Sequence, residues 1–147
     1  MTFTFKKAAF SLLTASALMA AAPSFAGGWN SANINMTGWG NSTGVGQNGW
    51  VNHVEVEQHG WNNGIVATQD GAKNTTVVGQ SGGWNRSTTH QGGKKNTLGV
   101  AQIGNGNTAN VEQYGKHNVT GVIQVGDGNS ASISTKGKGN TAVVIQY

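Results

Sequence analysis

A glutamine that returns every eleven residues is the feature that most constrains this chain. With each glutamine position taken as position zero of a unit, glycine occupies position two and asparagine position five in eleven consecutive units. The glutamines are Gln47, Gln58, Gln69, Gln80, Gln91, Gln102, Gln113, Gln124 and Gln146. The asparagines are Asn30, Asn41, Asn52, Asn63, Asn74, Asn85, Asn96, Asn107, Asn118, Asn129 and Asn140. Such regularity identifies a repeat protein whose units stack on one another.

Positions five, seven, nine and eleven of each unit predict one buried face of a β-strand. Position nine is Val or Ile in nine of the eleven units, and position seven is small or apolar. Alternate residues of a strand point to the same face, so Asn, a small residue, Val or Ile, and Gln line up together. The positions between them vary freely, as His53, Glu55 and Glu57 show, which is typical of a solvent-facing side. Each unit is therefore predicted to be a strand of about seven residues, followed by a tight x-Gly-x-x turn.

The predicted fold class is all-β, a β-solenoid. A period of eleven also occurs in right-handed coiled coils, but the many Gly and β-branched residues rule out helices. Two consecutive units fold face to face as strand–arc–strand, which makes one coil of about 22 residues. Coils stack in parallel about 4.8 Å apart, with the facing sheets about 10 Å apart. Odd and even units are then expected in opposite sheets.

The buried amides and the open ends of such a stack predict self-assembly. A buried Asn or Gln side chain is costly unless it is hydrogen-bonded. In an in-register stack each amide can donate to one neighbour and accept from the other, as in cross-β assemblies. The Gln and Asn named above are the predicted ladder residues. Each end of the stack exposes unpaired backbone groups that match a further copy, so an amyloid-forming chain is expected.

Residues 1–26 read as a secretory signal peptide. Lys6 and Lys7 precede an apolar run over residues 8–22, and Ser24, Phe25 and Ala26 supply a cleavage site. The run is too short to span a membrane, so no membrane insertion is expected. Residues 27–147 then form eleven units of eleven residues, and an exported, extracellular location follows.

Charge and cysteine content exclude several classes of protein. Without Lys6 and Lys7, seven Lys and Arg remain against five Asp and Glu, a net charge of +2. This charge is weak and scattered along the sequence, so nucleic-acid binding is not expected. With no cysteine, the chain cannot be stabilised by disulfide bonds.

No catalytic or metal-binding constellation is present in the sequence. The four histidines, His53, His59, His90 and His117, fall on outward or turn positions of different units. Such a distribution is typical of solvated surface histidines rather than of metal ligands. We therefore expect no enzyme activity and no cofactor.

Three tryptophans of alternate units, Trp39, Trp61 and Trp84, are predicted to share one edge of the solenoid, one coil apart. Two interpretations remain open. The rings can pack over the arc glycines and cover the ends of the core. Alternatively, they form an exposed aromatic ladder that contacts glycans or surfaces.

The segment from Gln102 to Gln113, Gln-Ile-Gly-Asn-Gly-Asn-Thr-Ala-Asn-Val-Glu-Gln, resembles the curlin repeat of bacterial curli fibres. Residues 139–146 repeat its second half. The resemblance implies a functional amyloid: a secreted subunit that polymerises on the bacterial surface into fibres (a fimbrium) for adhesion and biofilm matrix. It assigns the polymerisation contacts to the gridded Gln and Asn.

The resemblance also implies partners. These are further copies of the chain, a second curlin subunit as nucleator or partner, and a curli-type outer-membrane export channel with its chaperones. The intact last unit, ending in Gln146 and Tyr147, is similar to that of a major curlin; a minor, nucleating subunit is the alternative.

A monomeric solenoid that binds ice or glycan on its flat face is the interpretation from a different class. An ice binder needs regular outward threonines. The outward pairs at positions six and eight show no such array: His53/Glu55, Gly64/Val66, Arg86/Thr88 and Thr97/Gly99. The sequence therefore favours the fibre subunit.

Overall fold

The computed structural model describes residues 28–147, which form eleven β-strands and no helix. The predicted signal peptide, residues 1–26, lies outside the described residues. The strands are β1 Ser31–Trp39, β2 Ser42–Trp50, β3 His53–Trp61, β4 Gly64–Ala72, β5 Thr75–Gly83, β6 Arg86–Lys94, β7 Thr97–Asn105, β8 Thr108–Lys116, β9 Val119–Val125, β10 Ser130–Lys138 and β11 Thr141–Gln146. Nowhere in the described part does a helix occur that is long and apolar enough to cross a membrane.

The strands form two parallel sheets that alternate along the chain. Sheet A has the order β1-β3-β5-β7-β9-β11, and sheet B has the order β10-β8-β6-β4-β2. Each strand pairs with the strand two further along, and the register is always two units, as in Ser31 with His53 and Val119 with Thr141. The predicted β-solenoid, with two units to a coil and odd and even units in opposite sheets, is confirmed.

The core lies between the sheets and is one apolar layer wide. Its buried residues come from positions seven and nine of successive units: Val54, Val56, Ile65, Ala67, Val78, Leu98, Val100, Ala109, Val111, Val122 and Ala131. Their counterparts in the outermost strands, such as Ile34 in β1 and Val144 in β11, are only partly buried. The central coils are therefore the best packed.

The connections are shorter than the sequence predicted. Most strands are nine residues long, and only two residues, such as Gly40 and Asn41, separate β1 from β2. The expected four-residue turn is wrong except between β9 and β10, where residues 126–129 connect the strands, because elsewhere the chain bends inside the strand, at the position-two glycine. These glycines have φ between 103° and 120°. Pairing continues past the bend, since Gly38 and Trp39 still pair with Gly60 and Trp61.

The residue at position four, two residues after this glycine, adopts the left-handed conformation in every connection. Four of these residues are glycines, but Val51, Lys73 and Trp84 are among six non-glycine residues with φ between 50° and 59°. A β-branched residue is the least suited to this conformation, so Val51 stores backbone strain. The sequence does not predict this left-handed conformation, because the residue at position four varies freely between units.

The position-two glycine is required by space as well as by φ. A β-carbon built on Gly82 would overlap the carbonyl oxygen of Gly104, the equivalent residue one coil further on. The same overlap recurs at Gly60 against Gly82 and at Gly93 against Gly115. The glycines therefore set how closely successive arcs can stack.

We expect Gly82→Ala to lower the free energy of unfolding by at least about 2 kcal/mol, because it adds both strain and a backbone clash. Gly79→Ala is the matched control. Gly79 lies in the same strand, and a β-carbon there meets nothing within 4 Å. That control should be neutral or stabilising by up to about 1 kcal/mol. Chemical unfolding midpoints of the two variants measure the difference, and equal midpoints would contradict the close-approach argument.

Candidate functional site

The position-zero glutamines form two continuous ladders of side-chain hydrogen bonds. Wherever a glutamine lies one coil further on in the described residues, Nε2 donates to its Oε1 over distances of 2.6–2.9 Å. The sheet B ladder contains Gln47, Gln69, Gln91 and Gln113; the sheet A ladder contains Gln58, Gln80, Gln102, Gln124 and Gln146. Neither ladder extends to all strands of its sheet, because Met36 and Thr135 replace the glutamine in β1 and β10.

Most glutamines use their second N–H to tie the two sheets together. Gln69 in sheet B donates to the backbone carbonyl of His53 in sheet A at 3.0 Å, and Gln102 in sheet A donates to that of Arg86 in sheet B at 3.1 Å. Both amide hydrogens of these side chains are thereby bonded. The glutamines are consequently held in one rotamer, which is what an in-register ladder needs.

The asparagines do not form the continuous side-chain rungs that the sequence predicted. Asn74 shows the usual arrangement: its Nδ2 donates to the carbonyls of Asp70 and Gly93, both at 3.2 Å. Its Oδ1 accepts the backbone N–H of Asn96 at 3.1 Å. Direct bonds between asparagine side chains within the described residues are limited to Asn85 with Asn63 and Asn107 with Asn85. The short side chain at the bend reaches backbone groups instead, because these have turned out of the sheet.

The fixed glycine and the fixed asparagine are thus two halves of one contact. In successive coils the acceptor of the asparagine Nδ2 is the carbonyl of a position-two glycine, 19 residues further on, at 2.8–3.2 Å. A β-carbon on the preceding glycine would occupy the place of that carbonyl. This geometry explains why positions two and five are invariant together.

Hydroxyl groups at position seven bond to the glutamine ladders, a contact that the sequence did not predict. Thr43 Oγ1 donates to Gln58 Oε1 at 2.8 Å, and Thr76 Oγ1 donates to Gln91 Oε1 at 2.8 Å. Gln69 Nε2 in turn donates to Thr76 Oγ1 at 3.1 Å. Threonines at a position that is otherwise small or apolar could have predicted these hydrogen bonds.

Ser87 occupies the same position without such a partner. Its Oγ is the one buried side-chain oxygen or nitrogen of the described residues that makes no hydrogen bond. Thr76 and Ser87 therefore form a natural matched pair, one hydroxyl inside the amide network and one outside it.

We expect Thr76→Val to lower the free energy of unfolding by about 1–3 kcal/mol, because it deprives Gln69 and Gln91 of a buried partner. Ser87→Ala should be neutral or stabilising, since it removes a buried hydroxyl that has nothing to bond. Thermal or chemical unfolding of the two variants measures both effects. A larger loss for Ser87→Ala than for Thr76→Val would contradict the assigned network.

The arcs that follow sheet A form an aromatic edge, defined by Trp39, Trp61 and Trp84. Trp39 and Trp61 meet edge to face, with ring centroids 6.0 Å apart and planes at 83°. The Trp61 indole covers Gly83, and the cleft beside the two rings is lined by Gly38, Gly60 and Gly82. The rings still have 62%, 44% and 66% of their surface exposed. Each open interpretation thus describes part of the geometry: packing on glycines, and an exposed ring edge.

The arcs that follow sheet B, together with the strand ends that enter them, form a basic edge, defined by Lys73, Lys94, Lys95, Lys116, Lys136 and Lys138. Lys94, Lys116 and Lys138 are direct register partners in neighbouring strands. All six side chains are exposed. The expectation of scattered charge is wrong, because residues two units apart in sequence come together once the coil forms. The regular two-unit spacing of Lys94, Lys116 and Lys138 in the sequence could have predicted this edge.

The histidines lie on the surface and do not converge. His59 Nε2 lies 3.0 Å from Glu57 Oε1 on the outer face of sheet A, and His90 Nε2 lies 3.8 Å from Asp70 Oδ2 on sheet B. Between residues 28 and 147, no three His, Cys, Asp or Glu residues are grouped in a way that could hold a metal ion.

A stack of equivalent coils held by amide ladders defines the class of this protein: a structural β-solenoid built from short tandem repeats. A family model described as the curlin associated repeat matches residues 74–115, 104–137 and 118–147. Together these matches run from residue 74 to 147, half of the chain, and the chain belongs to the curlin repeat family. A comparison with curated proteins gave no match.

Proposed function

We propose that this chain is the subunit of an extracellular, curli-like amyloid fibre that self-polymerises on the bacterial surface for adhesion and biofilm matrix. The observation that carries the proposal is the constant two-unit register of every strand pair, with a glutamine rung at almost every step. Such a stack offers a further copy the same contacts that each coil offers the next. Membership of the curlin repeat family supports the same conclusion.

The outermost strands of the described stack carry complementary groups. Gln146 Nε2 in β11 donates to the backbone carbonyl of Ser130, which leaves one of its two amide hydrogens available. Within residues 28–147, Gln47 Oε1 in β2 accepts no hydrogen bond from another glutamine. A second copy placed with its β2 on β11 would continue the ladder from Gln146 to Gln47. It would also bring Met36 beside Thr135, so that no glutamine faces a missing partner.

The proposal includes how the chain reaches the surface. Residues 1–26 act as the signal peptide, and the outer-membrane channel and chaperones of curli-type export carry residues 27–147 outward. We propose the main fibre subunit rather than the nucleator, because the last unit keeps its glutamine and pairs fully with β9. Deleting the gene separates the two: loss of all fibre mass supports the main subunit, and release of an unpolymerised partner supports the nucleator.

We expect the purified chain to convert from a soluble form to thioflavin-positive fibres with a reflection at about 4.7–4.8 Å. The physical reason is that end-on addition continues both backbone and side-chain ladders. Fibre diffraction and the kinetics of thioflavin fluorescence measure this. Persistence of soluble monomer at micromolar concentration, even after preformed fibre seeds are added, would overturn the proposal.

We expect Gln102→Ala to lengthen the lag time of assembly. Gln102 accepts from Gln80 at 2.6 Å and donates to Gln124 at 2.9 Å, so its loss breaks a buried ladder. The cost is about 1–3 kcal/mol per unpaired site. Glu112→Ala, an exposed outward change in the following strand, is the control and should alter stability by less than about 0.5 kcal/mol. Equal lag times under matched conditions would count against the ladder as the driving contact.

A further inference from the structure

The basic edge places like charges in a straight column. Lys94, Lys116 and Lys138 occupy the same position of three successive strands, so their α-carbons repeat at the strand spacing of about 4.8 Å. Lys73 and Lys95 stand at the next position of their arcs, also one coil apart. The column runs along the stacking direction of the coils.

The described residues leave this charge without a carboxylate partner. Like charges directly opposite one another in neighbouring strands are destabilising. The ion pairs within residues 28–147 both involve histidine, and no lysine nitrogen there comes within 4.0 Å of a carboxylate. Asp127 lies on the aromatic edge, Glu55 and Glu57 lie in sheet A, and Asp70 and Glu112 lie in the strands of sheet B. A fold that tolerates such a column of ammonium groups is suited to an anionic ligand that lies along it.

We propose that the basic edge binds a linear acidic polysaccharide, with its carboxylates aligned along the stack of coils. One sugar of an extended uronate chain is close in length to the strand spacing, and carboxylates that face the same side recur every second sugar, so they meet alternate lysines of the column. A lysine ammonium is a point charge on a flexible stem and can follow small differences in spacing.

The geometry favours a polysaccharide over a nucleic acid. The phosphates of a duplex wind around its axis, so a straight column of lysines meets few of them. Proteins that bind single strands combine a basic groove with aromatic platforms on which bases stack. Here Trp39, Trp61 and Trp84 lie on the opposite edge of the solenoid. On the lysine side, the exposed rings of Trp50 and Tyr114 are each already covered by a lysine of the basic edge, with the nitrogen 5.9 Å and 5.8 Å from the ring centroid. Nucleic-acid binding is therefore an outcome of the test rather than the proposal.

Two deletions of one unit test the column without removing a charge. Residues 42–52 and residues 97–107 each comprise one unit, and neither segment contains Lys, Arg, Asp, Glu or His. Each deletion moves all later strands to the opposite sheet. Deleting 42–52 moves all six lysines together, so the basic edge stays whole. Deleting 97–107 leaves Lys73, Lys94 and Lys95 on one edge and transfers the other three to the opposite edge.

We expect the chain lacking 42–52 to bind fluorescein-labelled polymannuronate as the parent chain does, by fluorescence anisotropy. The chain lacking 97–107 should bind about tenfold more weakly or worse, with a shallower salt dependence, because fewer ammonium groups act on one ligand. Circular dichroism confirms that both remain β-structured. Equal affinity of the two deletions would overturn the proposal.

A substitution set provides the second arm. Lys94→Gln, Lys116→Gln and Lys138→Gln together remove three charges from the column. Ser42→Glu, Thr108→Glu and Ser130→Glu change the net charge equally at exposed positions where strands of sheet B begin, on the opposite edge from the lysines. Only the lysine set should weaken binding about tenfold or more. Equal losses in both sets would mean that net charge alone acts, and would overturn a defined edge.

Two further probes define the ligand class. The methyl-ester form of polymannuronate, which lacks the negative charges, should not bind; if it binds equally, carboxylate recognition is wrong. Duplex or single-stranded DNA that binds more tightly than polymannuronate, with the same dependence on the lysine column, would assign the edge to nucleic acid instead. These measurements use the folded chain, so they stand or fall separately from fibre growth.

Discussion

The hydrogen bond from an asparagine amide to the carbonyl of a glycine one coil further on is the contact that the rest of this structure depends on. Asn74 makes it to Gly93, and Asn96 makes it to Gly115, each across one arc. The bond fixes where the chain bends, and the bare α-carbon of the glycine lets the next arc approach closely. Once the arcs stack at this distance, the strands between them pair without a register shift. The glutamine ladders and the narrow core are consequences of that register.

The interior of this solenoid holds more polar side chains than apolar ones. Among the described residues, eleven buried side chains are apolar and nineteen are polar. A buried polar group that lacks a partner is costly, yet only Ser87 Oγ is in that condition. The same amide that is expensive alone becomes stabilising in a ladder, because each rung serves both neighbours. A single break therefore affects the coils on both sides.

The fold could be predicted because the inward positions follow from period alone. Asn, Val and Gln recur with strand spacing, and a strand with one buried face has few ways to stack. The position of the bend could not be predicted equally well, because a glycine with positive φ can either end a strand or bend it. Gly38 bends its strand, and pairing continues beyond it. The left-handed Val51 could not be predicted because backbone conformation at position four is imposed by the stack, not by the side chain.

The candidate sites could likewise be predicted only in part. The glutamine positions could be predicted, but the asparagine partners could not, because backbone carbonyls at the bend compete with neighbouring amides for Nδ2. Position seven predicts Thr76 as a small core residue, although its hydroxyl lies within reach of two amides. Predicting the basic edge would have required comparing residues two units apart, because one coil contains two units. The lysines become neighbours only when the coils stack.

The position of Lys94, Lys116 and Lys138 has a consequence for covalent continuity. Each is the last residue of its strand, exposed at an arc, where proteases that cut after lysine gain access most easily. Successive cuts would fall one full coil apart, so each fragment would carry one strand in each sheet. Every strand would keep its neighbours, because those contacts run between coils and not along the chain. The integrity of the stack therefore does not depend on an unbroken backbone.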